Sequence, residues 1–179
     1  MVLTMYKSGC LTSPLYKDAL AIVHENNPSR TTAYQMGNLS LLSYTKEKNS
    51  AELEKAIEYF QDASKLSELN EQKADANYML AMCYYLKGSY SEARSAAYVA
   101  LKYKPNMGKA YLLIGDMYKG SAGRCSGDDL PLACCWAAAD KYAKAVAVDP
   151  SCADEAARHR EGLRFPSKDD CFKRGLNAG

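Results

Sequence analysis

The seven cysteines and two histidines are the side chains of this 179-residue chain best suited to metal or redox chemistry. Most of them fall late in the sequence, where one stretch contains Cys125, Cys134, Cys135, Cys152 and His159. Thiolate and imidazole groups together suit zinc, whereas paired thiols suit disulfides. An odd number of cysteines leaves at least one thiol unpaired in a monomer.

The spacing of these cysteines favours a disulfide over a metal site. Zinc knuckles usually contain a C-x2-C pair, which this sequence lacks. Cys134 and Cys135 are adjacent, and neighbouring residues on a helix point about 100° apart, so both rarely bind one ion. We therefore predict no metal and no cofactor, and a disulfide from Cys125 to Cys134 or to Cys135. The alternative is that Cys83 and one of the adjacent pair are small buried apolar side chains, a role that suits Cys83 in particular.

Motifs of catalysis are missing from the sequence. It contains no G-x-x-x-x-G-K-[ST], no G-x-G-x-x-G, no G-x-S-x-G and no H-E-x-x-H. His24 stands at the polar end of a predicted helix and His159 lies on a charged one, so we expect both to face solvent. A nucleophilic Cys–His pair would have no third group to orient it. These observations predict a protein that is not an enzyme.

The composition is that of a soluble globular protein. Hydrophobic residues make up 47% and charged residues 25%, and 23 Lys+Arg against 21 Asp+Glu leave a net charge of +2. Nucleic-acid-binding proteins usually carry a basic excess, so nucleic acid is not a predicted partner. No apolar run approaches the roughly 20 residues of a membrane span. The first ten residues lack the pattern of a signal peptide, so we expect the cytoplasm, or the cell envelope if Met1 is not the natural start.

A repeat organises the middle of the chain. Three pairs of segments align: 76–84 with 110–118 at an offset of 34, 93–105 with 138–150 at an offset of 45, and 56–63 with 93–100 at an offset of 37. The change of offset marks an 11-residue insertion between Tyr118 and Ala138. Small residues recur between large ones at fixed spacing, as closely packed helices require. The period predicts stacked helical hairpins.

This repeat resembles the tetratricopeptide repeat (TPR). Residues 74–107 match that motif at Leu80, Ala81, Tyr84, Gly88, Tyr90, Ala93, Ala100 and Pro105, although Asn77 and Ala97 replace its usual aromatic residues. Residues 108–151 resemble a second TPR that contains the insertion, and residues 31–70 resemble a degenerate one. The resemblance implies an all-α fold, a right-handed superhelix of about three helix-turn-helix repeats. Flanking helices are expected at 13–27 and within 151–179.

Local patterns predict the individual helices. They are expected at Ser13–Asn26, Thr31–Tyr44, Ala51–Ser67, Ala74–Leu86 and Ser91–Tyr103. The Gly- and Ser-rich insertion Lys119–Leu132 is predicted to be a surface loop. Capping boxes at Ser151–Asp154 and Ser167–Asp170 predict short helices that reach Gly162 and Gly175.

A looser resemblance concerns the last third of the chain. The insertion, followed by VDPSCADEA and FPSKDDCFKRGL, is similar to a group of poorly characterised TPR proteins exported by Gram-negative anaerobes. This resemblance implies a location in the cell envelope and a natural chain that continues past Gly179.

The TPR resemblance implies a binding groove along the first helix of each repeat. The implied groove residues are Asp75, Tyr78, Met79, Met82 and Tyr85 in the second repeat and Lys109, Leu112, Leu113 and Asp116 in the third. One TPR class holds acidic chaperone tails with Lys, Asn and Arg, but here Met79 replaces the Asn and Leu113 the Arg, so a carboxylate cannot be held bidentately. The remaining strip is apolar and predicts a peptide or partner segment with hydrophobic anchors, oriented by Lys109, Asp75 and Asp116.

Two further interpretations stay open. In one, the groove is filled by the N-terminal helix, by the segment Phe165–Phe172 or by a second copy, so that the protein is a structural or homo-oligomeric module. In the other, which is less favoured, the late cysteines make it a structural zinc or thiol-redox protein.

Overall fold

The described part of the computed structural model, residues 14–122, 130–163 and 165, is entirely helical apart from its turns. Its eight α-helices are α1 Pro14–Asn26, α2 Arg30–Glu47, α3 Ser50–Lys65, α4 Asn70–Lys87, α5 Tyr90–Tyr103, α6 Gly108–Ala122, α7 Leu130–Val148 and α8 Ala153–Arg160. A 3₁₀ turn, Pro150–Cys152, precedes α8. The predicted all-α class is confirmed for these residues.

The chain divides into two compact units, Met1–Pro105 (unit 1) and Asn106–Gly179 (unit 2). In unit 1 each helix from α1 to α5 packs against the next one along the chain. In unit 2, α6 and α7 form a hairpin, and α8 packs against both of them. Sequential packing of antiparallel neighbours follows from the short connections between the helices.

The helix ends of unit 1 are fixed by local hydrogen bonds. At the start of α2 the Ser29 hydroxyl accepts from the Thr32 backbone N–H at 3.2 Å, and the Thr32 hydroxyl accepts from the Ser29 N–H at 3.1 Å. The Asn49 side chain caps α3 by accepting from the Ala51 N–H. After α4 the chain turns at Gly88 with φ of 82°, a left-handed conformation that glycine adopts without strain. These caps keep the connections short, so consecutive helices lie side by side.

Small residues allow the helices of unit 1 to approach closely. Ala33 of α2, Ala63 of α3 and Ala76 of α4 are fully buried in one cluster. A second cluster joins α1 to α2 through Tyr16, Leu20 and Met36. A side chain larger than alanine in the first cluster would push three helices apart.

The start of the 3₁₀ turn corrects one prediction. The Asp149 carboxylate accepts from the Ser151 N–H at 3.2 Å and from the Ser151 hydroxyl at 2.6 Å. The cap of α8 is Cys152, which makes no side-chain capping bond. The capping box predicted at Ser151–Asp154 is therefore wrong, because Asp149 already engages Ser151. The second box, at Ser167–Asp170, lies outside the described residues.

The predicted helix positions agree closely with α1 to α5, but the predicted loop Lys119–Leu132 is too long. α6 continues to Ala122 and α7 begins at Leu130. Ser121 lies within α6, and its hydroxyl donates to the Met117 carbonyl at 2.7 Å, so the polar side chain has a partner inside the helix. Only residues 123–129 of the insertion lie outside the described residues.

Candidate functional site

One face of α4 carries a strip of half-buried aromatic and sulfur side chains, here named the α4 strip: Tyr78, Met79, Met82 and Tyr85. Their spacing places them along one side of the helix. The opposite side of α4 is buried, through Ala74, Ala76, Asn77, Leu80, Ala81 and Cys83. The strip is therefore partly open to solvent on a helix that is otherwise held by packing.

Neighbouring contacts hold the end of the α4 strip in place. The ring of Tyr85 stacks on that of Tyr90 with centroids 5.5 Å apart and planes 16° from parallel. The hydroxyl of Tyr84 accepts from the Gln61 side-chain amide at 3.1 Å. These contacts fix α4 against α3 and the start of α5, so the strip is largely preformed.

Asn77 replaces the aromatic residue that the TPR motif usually has, and it links α4 to α3. Its buried amide donates to the Ser64 hydroxyl and to the Lys73 carbonyl, both at 2.8 Å. A buried polar group without partners would cost free energy, and these two bonds remove that cost. Asn77 therefore makes a polar contact at the position where the motif usually has an apolar one.

Helix α2 adds Tyr34 to the same surface, which the sequence did not predict. Burial raises the pKa of Tyr34, and the nearby carboxylate of Asp75 raises it further, whereas Arg30 lowers it. The Arg30 guanidinium lies 4.8 Å from the centre of the Tyr34 ring. Tyr34 thus lies near Asp75, one of the residues predicted to orient a bound segment, and α2 and α4 both border the site.

Gly37 and Gly115 each face an aromatic ring of the next helix, and this shared packing explains the position of Tyr34 in its repeat. A Cβ atom on Gly37 would lie 2.8 Å from Cε1 of Phe60, and one on Gly115 would lie 2.3 Å from Cε1 of Tyr142. Each glycine therefore makes room for an aromatic ring of the following helix. Tyr34 precedes Gly37 by three residues, as Tyr78 precedes Ala81, so both tyrosines occupy the same position in their repeats. This glycine–aromatic pairing was the signal in the sequence that could have fixed the register of α2.

The residues predicted for the groove in the third repeat have different surroundings. Lys109 is exposed, but Leu112 and Leu113 are only 2% and 4% exposed. Leu112 packs within a cluster that contains Tyr142 and Ala145. Buried side chains cannot serve as open anchors, so the structure corrects the expectation for these two leucines. The cause is that α6 is apolar on several sides and buries most of them.

Asp116 is engaged inside unit 2. Its Oδ1 accepts from the Tyr142 hydroxyl at 2.8 Å and pairs with Nδ1 of His159 at 2.7 Å. The other ring nitrogen of His159 lies 3.7 Å from the Glu155 carboxylate. Asp116 therefore links α6 to α7 and α8 instead of lying free to orient a ligand.

Both histidines differ from the prediction that they face solvent. His159 is half-buried and packs edge-to-face against Tyr142, with centroids 5.7 Å apart. His24 is also half-buried, because Nδ1 lies 2.8 Å from the Thr32 hydroxyl and its ring packs against Tyr59. Asp116 and Tyr142, which contact His159, and Thr32 and Tyr59, which contact His24, lie on other helices, and a helix pattern read along one segment cannot reveal such contacts.

Lys119 provides a second link between α6 and α8. Its ammonium group donates to the carbonyl of His159 at 2.8 Å and to that of Glu161 at 3.0 Å. Carbonyls at a helix C-terminus lack partners within the helix and carry partial negative charge, so a cation is favoured there. Asp116 and Lys119 thus attach the C-terminal end of α8 from one face of α6.

Two of the described cysteines, Cys83 and Cys152, have raised pKa values and are therefore poorly suited to thiolate chemistry. Cys83 is fully buried, as predicted, and burial raises its pKa to about 12. Burial and the Asp149 carboxylate likewise raise the pKa of Cys152, whose Sγ lies 3.6 Å from that carboxylate. The thiolate is the reactive form, so both shifts reduce reactivity. Cys125 lies outside the described residues, and its disulfide to Cys134 or Cys135 stays a prediction.

Within the described ranges, no group of three or more His, Cys, Asp or Glu side chains is arranged to hold a metal ion. In the same ranges, no helix has the length and apolar character needed to cross a membrane. A comparison of the sequence with protein-family models and with curated proteins found no match to either.

Proposed function

We propose that this protein is a TPR-like, non-enzymatic interaction module that binds a peptide or partner segment with hydrophobic anchors. The proposed binding surface is the α4 strip, bordered by Tyr34 and Asp75. The observation that carries the proposal is that four neighbouring Tyr and Met side chains remain partly exposed on a helix whose other side is buried. Lys109 and Asp116 belong to unit 2 and are not part of this surface.

The packing of the hairpins supports the TPR-like part of the proposal. TPR hairpins need small residues where two helices cross, opposite a larger side chain. Gly37 against Phe60 and Gly115 against Tyr142 follow this rule. Ala81 and Ala97, at the matching positions of the middle repeat, are both fully buried. The right-handed superhelix is proposed from the TPR resemblance of the sequence.

The chemistry of the α4 strip suits apolar anchors. Methionine is flexible and polarizable, so it adapts to different apolar side chains. Tyrosine offers a large ring and a polar hydroxyl, which makes it frequent at protein interfaces. Asp75 supplies one negative charge at the end of the strip, so the bound segment is expected to place a cation or an N–H group there.

A displayed library of random peptides tests this proposal without a known partner. Selection on the intact protein should enrich peptides with two or more large apolar residues. The double variant Tyr78→Glu/Met82→Glu should lose at least about tenfold in affinity for the enriched peptides, since charges would replace two anchors. Thermal unfolding of each variant verifies that the fold survives, and Met79→Gln provides a milder variant if the double variant unfolds.

A matched control comes from the neighbouring helix. Tyr98 and Val99 of α5 are exposed apolar residues outside the α4 strip. The variant Tyr98→Glu/Val99→Glu introduces the same charge and should leave peptide binding unchanged. The proposal fails if no peptide is enriched, or if both double variants weaken binding equally.

The exposed side of α1 favours homo-oligomerisation as a second candidate function. Leu15 and Ile22 are 64% and 60% exposed, and their spacing of seven residues places them on one face of the helix. Contiguous exposed apolar patches mark contact surfaces. Sedimentation over a wide range of protein concentration should detect association that Leu15→Lys/Ile22→Lys abolishes. A monomer at every concentration would eliminate this candidate.

A further inference from the structure

Helices α7 and α8 border a groove in unit 2 whose walls consist mainly of small side chains. Its volume is about 600 Å³, and Ala143, Val146, Ala153 and Ala157 contribute to its lining. The three alanines are exposed, and their methyl groups leave space that larger side chains can fill. The groove therefore suits a segment that carries bulky aliphatic residues.

Helix α1 presents such residues on its exposed side. Leu15 and Ile22 are 64% and 60% exposed, whereas the other side of α1 is buried against α2. Leu15 and Ile22 are seven residues apart, so they project from one side of the helix about 10 Å from each other. Ala153 and Arg160 of α8 are also seven residues apart, so the two apolar side chains match the length of the groove wall.

The charges that accompany these two surfaces are of opposite sign. Asp18 lies between Leu15 and Ile22 on the exposed side of α1, and the exposed Arg160 lines the groove. Neither Asp18 nor Arg160 forms an ion pair with another residue that the structure describes. Arginine binds carboxylates through two parallel hydrogen bonds. A helix that buries Leu15 and Ile22 in the groove would bring the Asp18 carboxylate to the same place, where Arg160 can bind it.

We propose that α1 of one copy of this chain docks in the α7–α8 groove of a second copy, with Leu15 and Ile22 as the apolar anchors and Asp18 paired with Arg160. This inference rests on the second candidate function, homo-oligomerisation through α1, and identifies the surface that receives α1. The contact is heterologous, because two different surfaces meet. A single helix of 13 residues buries less surface than a standard interface, so the association is reversible and requires a high protein concentration.

Mixing two variants that block opposite surfaces tests this contact. Leu15→Lys/Ile22→Lys blocks α1 and keeps the groove, whereas Ala143→Glu fills the groove and keeps α1. In sedimentation the mass of the native protein should rise with concentration, and each variant alone should remain a monomer. An equimolar mixture of the two variants should form a complex of one copy of each and grow no further, because the surfaces left over are the blocked ones.

A matched control separates the groove from a general effect of charge on α7. Ala147 is an exposed alanine of that helix which does not line the groove, so Ala147→Glu should associate like the native protein. Thermal unfolding of each variant verifies the fold. If Ala143→Glu unfolds, Ala157→Gln fills the groove from α8 instead.

A charge exchange tests the ion pair. Asp18→Arg and Arg160→Glu should each weaken association at least about threefold, since like charges then face each other. The variant Asp18→Arg/Arg160→Glu should restore association, because the pair is then reversed in every contact. A double variant that associates no better than the single ones would overturn the proposed pairing.

The remaining outcomes show which surface fails. A native protein that is monomeric at every concentration would overturn both this contact and the second candidate function. Association that Leu15→Lys/Ile22→Lys abolishes but Ala143→Glu leaves unchanged would overturn only the groove, because α1 would then meet another surface, such as a second α1. Equal weakening by Ala143→Glu and Ala147→Glu would also overturn the groove.

Discussion

Unit 1 and unit 2 both place a glycine of one helix against an aromatic ring of the next helix, but the two rings differ by a hydroxyl. In unit 1 the ring is that of Phe60, and it packs edge-to-face with Tyr34 at a centroid distance of 5.4 Å. In unit 2 the ring is that of Tyr142, and its hydroxyl donates to Asp116. The steric requirement is the same in both hairpins, whereas the tip of the ring contacts different partners.

The hydroxyl adds a connection that unit 1 does not have at this position. Asp116 accepts from Tyr142 and also pairs with His159 of α8, so the hairpin contact holds a third helix. In unit 1 the corresponding ring borders Tyr34, which lies at the proposed binding surface. The comparison indicates that the small–large pairing maintains the fold, while the atoms at the ring tip determine what attaches to each hairpin.

The largest expected effect comes from adding one methyl group at each glycine. Gly115→Ala should destabilise unit 2 by about 3 kcal/mol, because its Cβ would meet a ring that is buried and also held by its hydroxyl. Gly37→Ala should cost less, about 1–2 kcal/mol, since the Phe60 contact is longer and the ring lacks a hydroxyl to hold it. Urea unfolding of each variant measures the difference.

A compensating change identifies the cause. In a Tyr142→Leu background, Gly115→Ala should cost much less, because the smaller side chain leaves space for the methyl group. An ordinary helical Gly→Ala change is stabilising, by roughly 0.5–1 kcal/mol. A neutral or stabilising effect of Gly115→Ala in the native sequence would therefore refute the steric account.

Exchanging the hydroxyl between the two rings should have the next largest effect. Phe60→Tyr should cost about 1–3 kcal/mol, since the ring is fully buried and its tip lies against Gly37, where the added hydroxyl would lose its bonds to water. Tyr142→Phe should cost about 1 kcal/mol by removing the bond to Asp116. Thermal unfolding measures both. If Phe60→Tyr leaves the unfolding temperature unchanged, the ring hydroxyl does not explain the difference between the two units.

Removing the Lys119 cap should loosen only α8. Lys119→Met deletes two hydrogen bonds to carbonyls at the helix end, an effect of about 1 kcal/mol at a partly exposed site. Hydrogen exchange over 153–160 should accelerate several-fold while α6 is unaffected. Lys144→Met, an exposed lysine of α7, is the matched control, and equal acceleration in both variants would contradict this role.

The smallest effect concerns acid sensitivity at Glu52. This carboxylate bonds to Lys55 at 2.7 Å and lies 3.5 Å from Lys17 of α1, and the Lys55 bond is the main cause that lowers its pKa below 4.5. A carboxylate whose pKa is lowered by folding stabilises the fold at pH values above its pKa in the unfolded chain. This stabilisation is lost as the pH falls below about 4.5. Glu52→Gln should therefore flatten the decline in thermal midpoint between about pH 5 and pH 3. An unchanged slope would show that Glu52 does not contribute.

The helices were predictable because their signals are local. Helical spacing, Gly88 and the Asn27–Pro28 pair indicate where helices run and end, and the positions of α1 to α5 follow. The start of α8 was predicted less well, because Asp149 competed for Ser151. Such a choice depends on which of two nearby polar side chains forms the more stable capping bond, and both options fit the sequence.

The candidate site was predictable only in part. The TPR resemblance implied Tyr78, Met79, Met82 and Tyr85, but Tyr34 depends on the Gly37–Phe60 contact between two helices. The burial of Leu112 and the engagement of Asp116 depend on α7 and α8, which reach them from distant parts of the sequence. Contacts of this kind are set by three-dimensional packing, and no repeat alignment contains them.

Methyl NMR of the protein labelled at its seven methionines tests the proposed binding surface most directly. A peptide selected on the intact protein is titrated in, and the methyl signals are assigned by single Met→Leu variants. We predict shifts at Met79 and Met82 of the α4 strip and none at the buried Met36 and Met117. Binding with shifts elsewhere, or with none at Met79 and Met82, would contradict the assignment of this surface.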